Sequence, residues 1–205
     1  MDGVYSCALS DCVATATTLW TNGGAPMSTA AENVVADEGI AYFLTMAPYG
    51  LRSCPSAGCN NQPVTVMSGA PQVYGITSFT LAVDAQYLYL VGIDASQSNL
   101  ILRCAKTGCG NNPTTIVAGL SGMGASNLMA DGQYLYWTES GTLPQTTGEG
   151  QAMIRKCSVP DCSSQPITVV AGLNAPGPLA IDDAYVYWID HGSSSSDGQI
   201  WKALK

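Results

Sequence analysis

Short apolar segments recur along the chain, and each ends at an aspartate that is followed by a segment of alternating character. The apolar segments are residues 34–36, 81–83, 128–130 and 179–181, and the aspartates are Asp37, Asp84, Asp131 and Asp182. Short continuous apolar runs are typical of strands buried on both faces, and Asp and Gly favour the turn that follows. The pattern therefore predicts a β-hairpin that is made four times.

The second strand of each hairpin carries large side chains at alternate positions. Positions three and five after the aspartate are Ile40 and Tyr42, Tyr87 and Tyr89, Tyr134 and Tyr136, and Tyr185 and Tyr187. Alternate residues of a strand lie on one face, and aromatic side chains suit that pleated surface. We expect these tyrosines, with Trp137, Trp188 and Trp201, to pack between neighbouring units. The alternative is an aromatic surface for a carbohydrate or peptide.

The hairpin belongs to a longer repeat of about 50 residues that contains four short strands, the length of a propeller blade. The sequence therefore predicts an all-β fold, a β-propeller with about four blades of four antiparallel strands, in one domain over residues 1–205. A β-sandwich is the alternative, whereas no window has the 3.6-residue period of a helix. The units are approximately residues 1–22 (partial), 23–69, 70–119, 120–172 and 173–205 (partial).

Eight cysteines form four pairs, and each pair has the same spacing of four intervening residues. This spacing also occurs between zinc ligands, but each pair supplies only two ligands and the chain has a single His. A disulfide that closes a short loop between the third and fourth strands is the better interpretation, with a contribution of about 2 kcal/mol each. The pairs are Cys7 and Cys12, Cys54 and Cys59, Cys104 and Cys109, and Cys157 and Cys162.

Two hairpins carry a motif that resembles a known family. Residues 136–139 (Tyr-Trp-Thr-Glu) and 187–190 (Tyr-Trp-Ile-Asp) follow strands that end in Asp, and they resemble the YWTD blade of lipoprotein-receptor propellers and the related NHL-type repeat. Residues 43–45 and 90–92 depart from the motif, and the added cysteine pairs suggest a bacterial-type branch. The resemblance implies a propeller in an extracellular setting, without a particular ligand.

Each end of the chain falls inside a repeat unit. In one account, residues 15–21 complete the sheet begun by residues 178–203, which gives a compact ring of four blades. In the other, the sequence is an excerpt of a larger propeller, whose open sheet edges would promote self-association.

The charge balance excludes several partners. The formal net charge is −8 and the pI is about 4.2, and no cluster of Lys or Arg occurs, so nucleic acid and anionic membrane surfaces are poor partners. No apolar run approaches the ~18 residues of a membrane helix, so we expect no membrane insertion. The N-terminus lacks a basic region followed by an apolar segment, so this sequence carries no export signal.

Two groups of residues suggest chemistry but have simpler interpretations. The repeated aspartates invite an acidic ring around a propeller axis that binds Ca²⁺, yet an aspartate in every unit is better explained by hydrogen bonds to its own turn. His191 lies among serines and carboxylates, but no nucleophile elbow or oxyanion hole accompanies it. We therefore predict no catalytic residue, no bound metal and no cofactor.

The connections between second and third strands differ from unit to unit. They are residues 46–50, 93–98, 140–151 and 191–198. Because each follows a second strand, we expect them to share one face, and variable loops are where propellers usually bind ligands. The candidate binding residues on this face are Tyr49, Asp94, Glu139, Glu149, Asp190, His191 and Asp197.

The predicted function is an extracellular, cell-surface or periplasmic binding module that is not an enzyme and presents this loop face to a protein or glycan. One alternative is a metal-dependent propeller enzyme of the lactonase or lyase type. The scarcity of His, and of Glu in the strands, disfavours this reading, because acid–base catalysis needs such groups to converge. The other alternative is a structural segment of a larger surface protein.

The cysteine interpretation predicts that the native chain has no reactive thiol. Thiol titration of the purified protein in denaturant without reductant should find none of its eight cysteines. Titration after reduction is the control and should recover all of them. Eight free thiols before reduction would contradict both the disulfides and the oxidising compartment.

Overall fold

The computed structural model describes residues 3–10, 15–21, 31–45, 49–69, 80–96, 98–120, 125–139, 152–174, 176–190 and 198–205. Within these ranges the chain forms seventeen β-strands. Three sheets have four strands in sequential order, one has three and one has two. A sequential four-stranded meander is the blade of a β-propeller, so the predicted all-β propeller of about four blades is confirmed.

We number the larger sheets as blades in chain order. Blade 1 contains β3 (Ala31–Asp37), β4 (Ile40–Thr45), β5 (Gly50–Pro55) and β6 (Val64–Ser68). Blade 2 contains β7 (Leu81–Val83), β8 (Tyr87–Ile93), β9 (Asn99–Ala105) and β10 (Thr114–Leu120). Blade 3 contains β11 (Ala125–Ala130), β12 (Tyr134–Glu139), β13 (Ala152–Ser158) and β14 (Ile167–Leu173). Blade 4 contains β15 (Pro176–Ile181), β16 (Tyr185–Asp190) and β17 (Gln199–Leu204).

The N-terminal strands form a sheet of their own. Strand β1 (Gly3–Ser6) pairs antiparallel with β2 (Thr17–Thr21), and blade 4 has three strands in the described part of the chain. The account of a compact four-bladed ring required residues 15–21 to pair with the sheet of blade 4. That pairing is not observed, because β2 pairs with β1. Strand β17 is the edge of blade 4, and its Ile200 is 79% exposed.

The chain divides into two compact units. Unit 1 comprises Met1–Gln72 with Cys104–Pro113, and unit 2 comprises Val73–Arg103 with Thr114–Lys205. Unit 1 therefore holds blade 1 and the disulfide loop between β9 and β10. Unit 2 holds blades 3 and 4 and most of blade 2.

Burial on both faces is most extensive in three of the second strands. Five consecutive residues are buried in each of β4, β8 and β12. Among the first strands, β7 has Leu81 and Ala82 buried, as its apolar run predicted, whereas β3, β11 and β15 are only partly buried, so the expectation was wrong for those three. Each first strand is the edge of its sheet, and an edge strand has a neighbouring strand on one side only.

Neighbouring residues of β12 pack into two different cores of unit 2. Trp137 lies in a cluster with Tyr89, Ile101 and Leu128, whereas Tyr136 lies in another with Val186. Since successive residues of a strand point to opposite faces, this strand packs on both sides. The prediction of packing between units is confirmed for these two aromatic residues. It was wrong for Trp201, which is 50% exposed on β17.

Three of the four predicted disulfides are formed by described residues. They join Cys54 to Cys59, Cys104 to Cys109, and Cys157 to Cys162, with Cα–Cα distances of 5.6, 5.3 and 5.1 Å. Cys7 is also disulfide-bonded, while its predicted partner, Cys12, lies outside the described residues. The cysteine pairs therefore close the loops after the third strands, as the repeat predicted.

Truncation of Tyr136 tests the core packing. Tyr136→Ala should lower the free energy of unfolding by ~3–5 kcal/mol, because the ring is fully buried and its loss leaves a cavity. Urea denaturation followed by fluorescence measures the change. Tyr5→Ala is the matched control, since Tyr5 is 54% exposed, and it should change stability by less than ~0.5 kcal/mol. Equal midpoints for Y136A and the unaltered protein would contradict the packing.

Candidate functional site

Three of the repeated aspartates hold the backbone of their own turns. Asp84 Oδ1 accepts hydrogen bonds from the amides of Gln86 at 2.8 Å and Tyr87 at 2.7 Å. The carboxylates of Asp131 and Asp182 accept the equivalent pair of bonds. We call residues 84–87, 131–134 and 182–185 the aspartate turns. The simple interpretation of these aspartates, as acceptors within their own hairpins, is confirmed.

The second carboxylate oxygen of each turn accepts a hydrogen bond from a tyrosine. The hydroxyl of Tyr89 donates to Asp84 Oδ2 at 2.6 Å, and Tyr187 donates to Asp182 Oδ2 at 2.7 Å. Tyr136 makes the equivalent, longer bond to Asp131 at 3.3 Å. Burial, and then the hydrogen bond to Asp84, raise the pKa of the Tyr89 hydroxyl. The tyrosine five positions after each aspartate is therefore a neutral donor at physiological pH.

A cation lies over the first tyrosine of each aspartate turn. The Arg103 guanidinium is 4.6 Å from the ring centroid of Tyr87. Lys156 and Lys202 lie in the same way over Tyr134 and Tyr185, at 4.6 and 4.1 Å, distances that suit cation–π attraction. Sequence reasoning missed these cations. Their signal was present, because Arg103 and Lys156 each directly precede the first cysteine of a pair.

The turn after Asp37 is built differently. Glu38 and Gly39 have φ values of 47° and 76°, and Asp37 pairs directly with Ile40 across them. A two-residue turn of this left-handed kind is the usual tight hairpin connection. The Asp37 carboxylate instead accepts a hydrogen bond from the Lys106 ammonium in unit 1.

Lysines bridge from one repeat to the aspartate of the preceding repeat. Within unit 1, Lys106 reaches Asp37, and within unit 2, Lys205 Nζ reaches Asp131 Oδ2 at 2.7 Å. The side chains of Lys106 and Lys205 are 13% and 16% exposed. Burial alone would raise the pKa of Asp131, but hydrogen bonds from Lys205 and from the turn amides outweigh it and lower this pKa.

Val159 occupies the position of these lysines in blade 3. Its amide donates to the carbonyl of Gln133 at 3.0 Å, as the amide of Lys205 does to Ala184 at 3.0 Å. A cavity of about 150 Å³ lies beside it, and its lining includes Asp84, Tyr87 and Val159. Where the neighbouring repeats place an ammonium on the aspartate, this repeat has a cavity.

The described candidate binding residues have different roles. Tyr49 is 45% exposed immediately before β5. Asp94 Oδ1 accepts hydrogen bonds from the amides of Ser96 and Ser98 at 2.8 and 2.9 Å, which fixes its own connection. Asp190 is the last residue of β16 and is partly buried. The remaining candidates Glu149, His191 and Asp197 lie outside the described residues.

Glu139 lies in β12 and is 2% exposed, so it does not face solvent as a loop residue would. Its Oε2 accepts hydrogen bonds from Trp137 Nε1 and Arg155 Nη1, both at 3.3 Å. A buried carboxylate requires such partners, so Glu139 is a structural residue of blade 3. The sequence did not reveal this, because the pairing of Trp137 with Arg155 depends on the register between β12 and β13.

The two ends of each blade differ in character. Because the strands run antiparallel in sequence order, the first turn and the loop after the third strand lie at one end. That end carries the aspartate turns, the disulfides and the lysine bridges. The connection between the second and third strands, which includes Tyr49 or Asp94, lies at the other end.

In the described ranges, no three side chains among His, Cys, Asp and Glu are grouped so that they could hold a metal ion. The described residues form no helix that is long and apolar enough to span a bilayer.

Known structures share the fold of this chain. No family model matches it, and neither does any curated protein sequence. A chain of a crystallised nidogen/laminin complex matches with a TM-score of 0.61 and 11% identity, over 94% of this chain and 70% of its own length. A putative TolB from Agrobacterium tumefaciens matches with a TM-score of 0.65 and 16% identity, over 98% of this chain and 69% of the TolB chain. A puromycin-hydrolyzing peptidase of Mycobacterium tuberculosis matches with a TM-score of 0.55 and 14% identity, over 93% of this chain and 31% of the peptidase chain. At these identities the likeness shows the fold alone.

The bridge between Lys205 and Asp131 predicts an acid-sensitive contribution to stability. A double-mutant cycle of Lys205→Gln and Asp131→Asn should give a coupling energy of about 1 kcal/mol near neutral pH. The folded-state pKa of Asp131 is lowered, so the coupling is fully present above its unfolded pKa of about 3.9. It should be lost as the pH falls through the folded-state value.

Urea denaturation at about pH 6 and at about pH 2 measures the coupling energy above and below the pH range in which it should be lost. Lys202→Gln is the matched control on the same strand, because Lys202 lies over Tyr185 and should not couple to Asp131→Asn. A coupling energy that is the same at both pH values would refute the assignment.

Proposed function

We propose that this protein is a non-catalytic binding module of the extracellular space, the cell surface or the periplasm, with a blade end that binds a protein or glycan. The binding end is the one formed by the connections between second and third strands. The observation that carries the proposal is the contrast between the two ends of the blades. One end repeats the same structural bonds, whereas the other differs from blade to blade and exposes Tyr49.

The residues at the end that carries the aspartate turns mainly stabilise the fold. Its carboxylates accept turn amides and tyrosine hydroxyls, and its loops are closed by disulfides. At the other end, the sequences and lengths of the connections differ from unit to unit, over residues 46–50, 93–98, 140–151 and 191–198. Variation on a rigid scaffold is the usual arrangement of a binding surface.

The chemistry of the exposed residues supports this choice of ligand. Tyrosine combines a large apolar ring with a hydroxyl, and it is enriched at protein interfaces. Aromatic rings also suit the apolar faces of sugars. The net charge of −8 argues against an anionic polymer as the ligand.

The disulfides support the proposed compartment. Disulfides persist in oxidising environments, and three are formed in the described part of the chain. The YWTD-like residues 136–139 and 187–190 favour assignment to the YWTD or NHL-type propellers, whose setting is extracellular. We propose that assignment together with the function.

One structurally similar protein favours a protein over a glycan as the ligand. A chain of the nidogen/laminin complex has the fold of this chain, and its crystal structure is that of a protein assembly. The peptidase match covers only 31% of that enzyme, so most of the enzyme has no counterpart here. A binding role therefore has the better structural precedent.

A binding screen with one surface variant tests the proposal. The purified protein should bind a component of a glycan array or of an array of extracellular proteins. Tyr49→Ala should weaken that interaction by about tenfold or more, because tyrosine is enriched among the interface residues whose truncation costs ~2 kcal/mol or more. Its melting temperature should not change.

Tyr5→Ala is the control for this variant, since Tyr5 is a similarly exposed tyrosine that lies on β1 and not in a connection between a second and a third strand. It should leave binding unchanged. Equal affinity of Y49A and the unaltered protein would refute the proposed surface. Metal-dependent lactone hydrolysis by the purified protein would refute a non-catalytic role.

A further inference from the structure

We propose that a groove beside β10 binds a short extended segment of a protein partner, and that this segment carries an asparagine side chain. The groove lies between β10 and the third of the disulfide loops, which are residues 54–62, 104–112 and 157–165. All of its lining residues belong to unit 2. A strand edge and a disulfide loop form this groove, and the variable connections do not contribute to it, so either proposal can fail without the other.

The second disulfide loop fills the equivalent place in unit 1. The amide of Cys109 donates to the carbonyl of Val66 on β6 at 3.1 Å, and Gly110 forms a parallel β-bridge with Met67. Strand β6 is the edge of blade 1. A short segment of this chain is therefore bound to a strand edge through its backbone, and Val66 is only 3% exposed there.

An asparagine two positions after the second cysteine also joins each of the first two loops to the preceding sheet. Asn61 Oδ1 accepts a hydrogen bond from the amide of Thr21 on β2 at 2.8 Å. The side chain of Asn111 is hydrogen-bonded to the hydroxyl of Ser68 on β6, also at 2.8 Å. A carboxamide is therefore the side-chain group that binds this edge in two repeats.

The third loop lacks both side chains of this pair. Ser164 lies two positions after Cys162, where the other loops have an asparagine. Ala118 takes the position of Ser68, directly before a glycine. Since serine is shorter than asparagine and alanine has no hydroxyl, the bond between Ser68 and Asn111 has no counterpart between the described residues of this loop and β10.

The backbone of the third loop is also placed differently. The amide of Cys162 donates to the carbonyl of Ser158 inside its own loop, at 2.9 Å, whereas the equivalent amide of Cys109 donates to β6. Ile116 and Val66 each lie three positions after a proline, at a bulge in the pairing with the third strand. Ile116 is only partly buried. Among the described residues, the third loop thus leaves uncovered a bulge that the second loop covers.

The groove has the size and the lining of a peptide site. Its volume is about 370 Å³, within the range of ~300–1,000 Å³ that is usual for ligand sites. Its lining combines residues 116–120 of β10 with Ser164, Gln165 and Arg155. Strand β10 is the edge of blade 2, and the backbone of an edge strand is a template for pairing with another chain. Addition of an extended segment to such an edge is a common mode of peptide recognition.

The charges beside the groove favour an uncharged side chain on that segment. The Arg155 guanidinium is 3.3 Å from the Glu139 carboxylate and donates to the Pro166 carbonyl at 3.0 Å, so its charge is already compensated. The other side chains that line the groove carry no charge. A neutral carboxamide on an extended backbone therefore fits this lining better than a charged side chain does.

Titration of the ¹⁵N-labelled protein with the peptide acetyl-Ala-Gly-Asn-Asn-amide tests the groove by NMR. The peptide copies residues 109–112 with alanine in place of the cysteine. The amide signals of Ala118 and Gly119 should shift in a saturable way at millimolar peptide. Those of Ala171 and Gly172 are the internal control and should not shift, because they occupy the matched positions of β14, which is also an edge strand.

Two further ligands test the chemistry of recognition. The peptide acetyl-Ala-Gly-Ala-Asn-amide lacks the first carboxamide and should bind about tenfold more weakly, the effect of roughly one hydrogen bond. N-acetylglucosamine carries an amide without a peptide backbone and should produce no saturable shift. Equal affinity of the two peptides would overturn the role of asparagine. Binding of the sugar as strong as that of the first peptide would overturn the assignment to a protein segment.

A double variant locates the interaction. Ala118→Ser with Ser164→Asn restores the side chains of unit 1, and it should weaken peptide binding about tenfold or more, because a carboxamide within the chain competes at a high effective concentration. Both positions are exposed, and a cooperative melt verifies the fold. Ala171→Ser is the matched control on β14 and should leave binding unchanged. Undiminished binding to the folded double variant, or equal shifts on β10 and β14, would overturn the proposal.

Discussion

Burial of the second strand on both faces is the constraint on which the rest of this structure depends. In β12, Tyr136 and Trp137 are both inaccessible to solvent and lie in different core clusters. A strand can achieve this only if packing is available on both sides, because successive side chains point to opposite faces. A lone blade would leave one of these aromatic faces in water. The repetition of the blade is therefore a physical requirement of the sequence, which explains why the pattern recurs at regular intervals.

The turn chemistry follows from that burial. A tyrosine such as Tyr89, held in the core, must satisfy its hydroxyl, and the aspartate at the preceding turn is the acceptor. The equivalent carboxylate of Asp131 also accepts its turn amides and receives Lys205 from the next repeat. One acidic side chain thus links the hairpin, the core and the neighbouring repeat. Because the carboxylates of the aspartate turns serve the fold in this way, we propose the variable connections as the place of ligand recognition.

The exceptions to the repeat carry the functional information. Val159 interrupts the series of bridging lysines and leaves a cavity beside Asp84. Tyr49 places an exposed aromatic ring at the opposite end of blade 1. Since the repeated bonds supply stability, a position that departs from them is under a different constraint.

The sequence by itself determined the period, the strand order within each blade, the three described cysteine pairs and the role of Asp84, Asp131 and Asp182 in their turns. These features are local, since they depend on residues within one hairpin or one short loop. Only the tertiary structure decided that Glu139 is buried against Arg155, that β2 pairs with β1, and that Lys205 reaches Asp131. Each of these contacts joins residues whose approach depends on strand register or on packing between repeats, and neither is written in the spacing of residues along the chain.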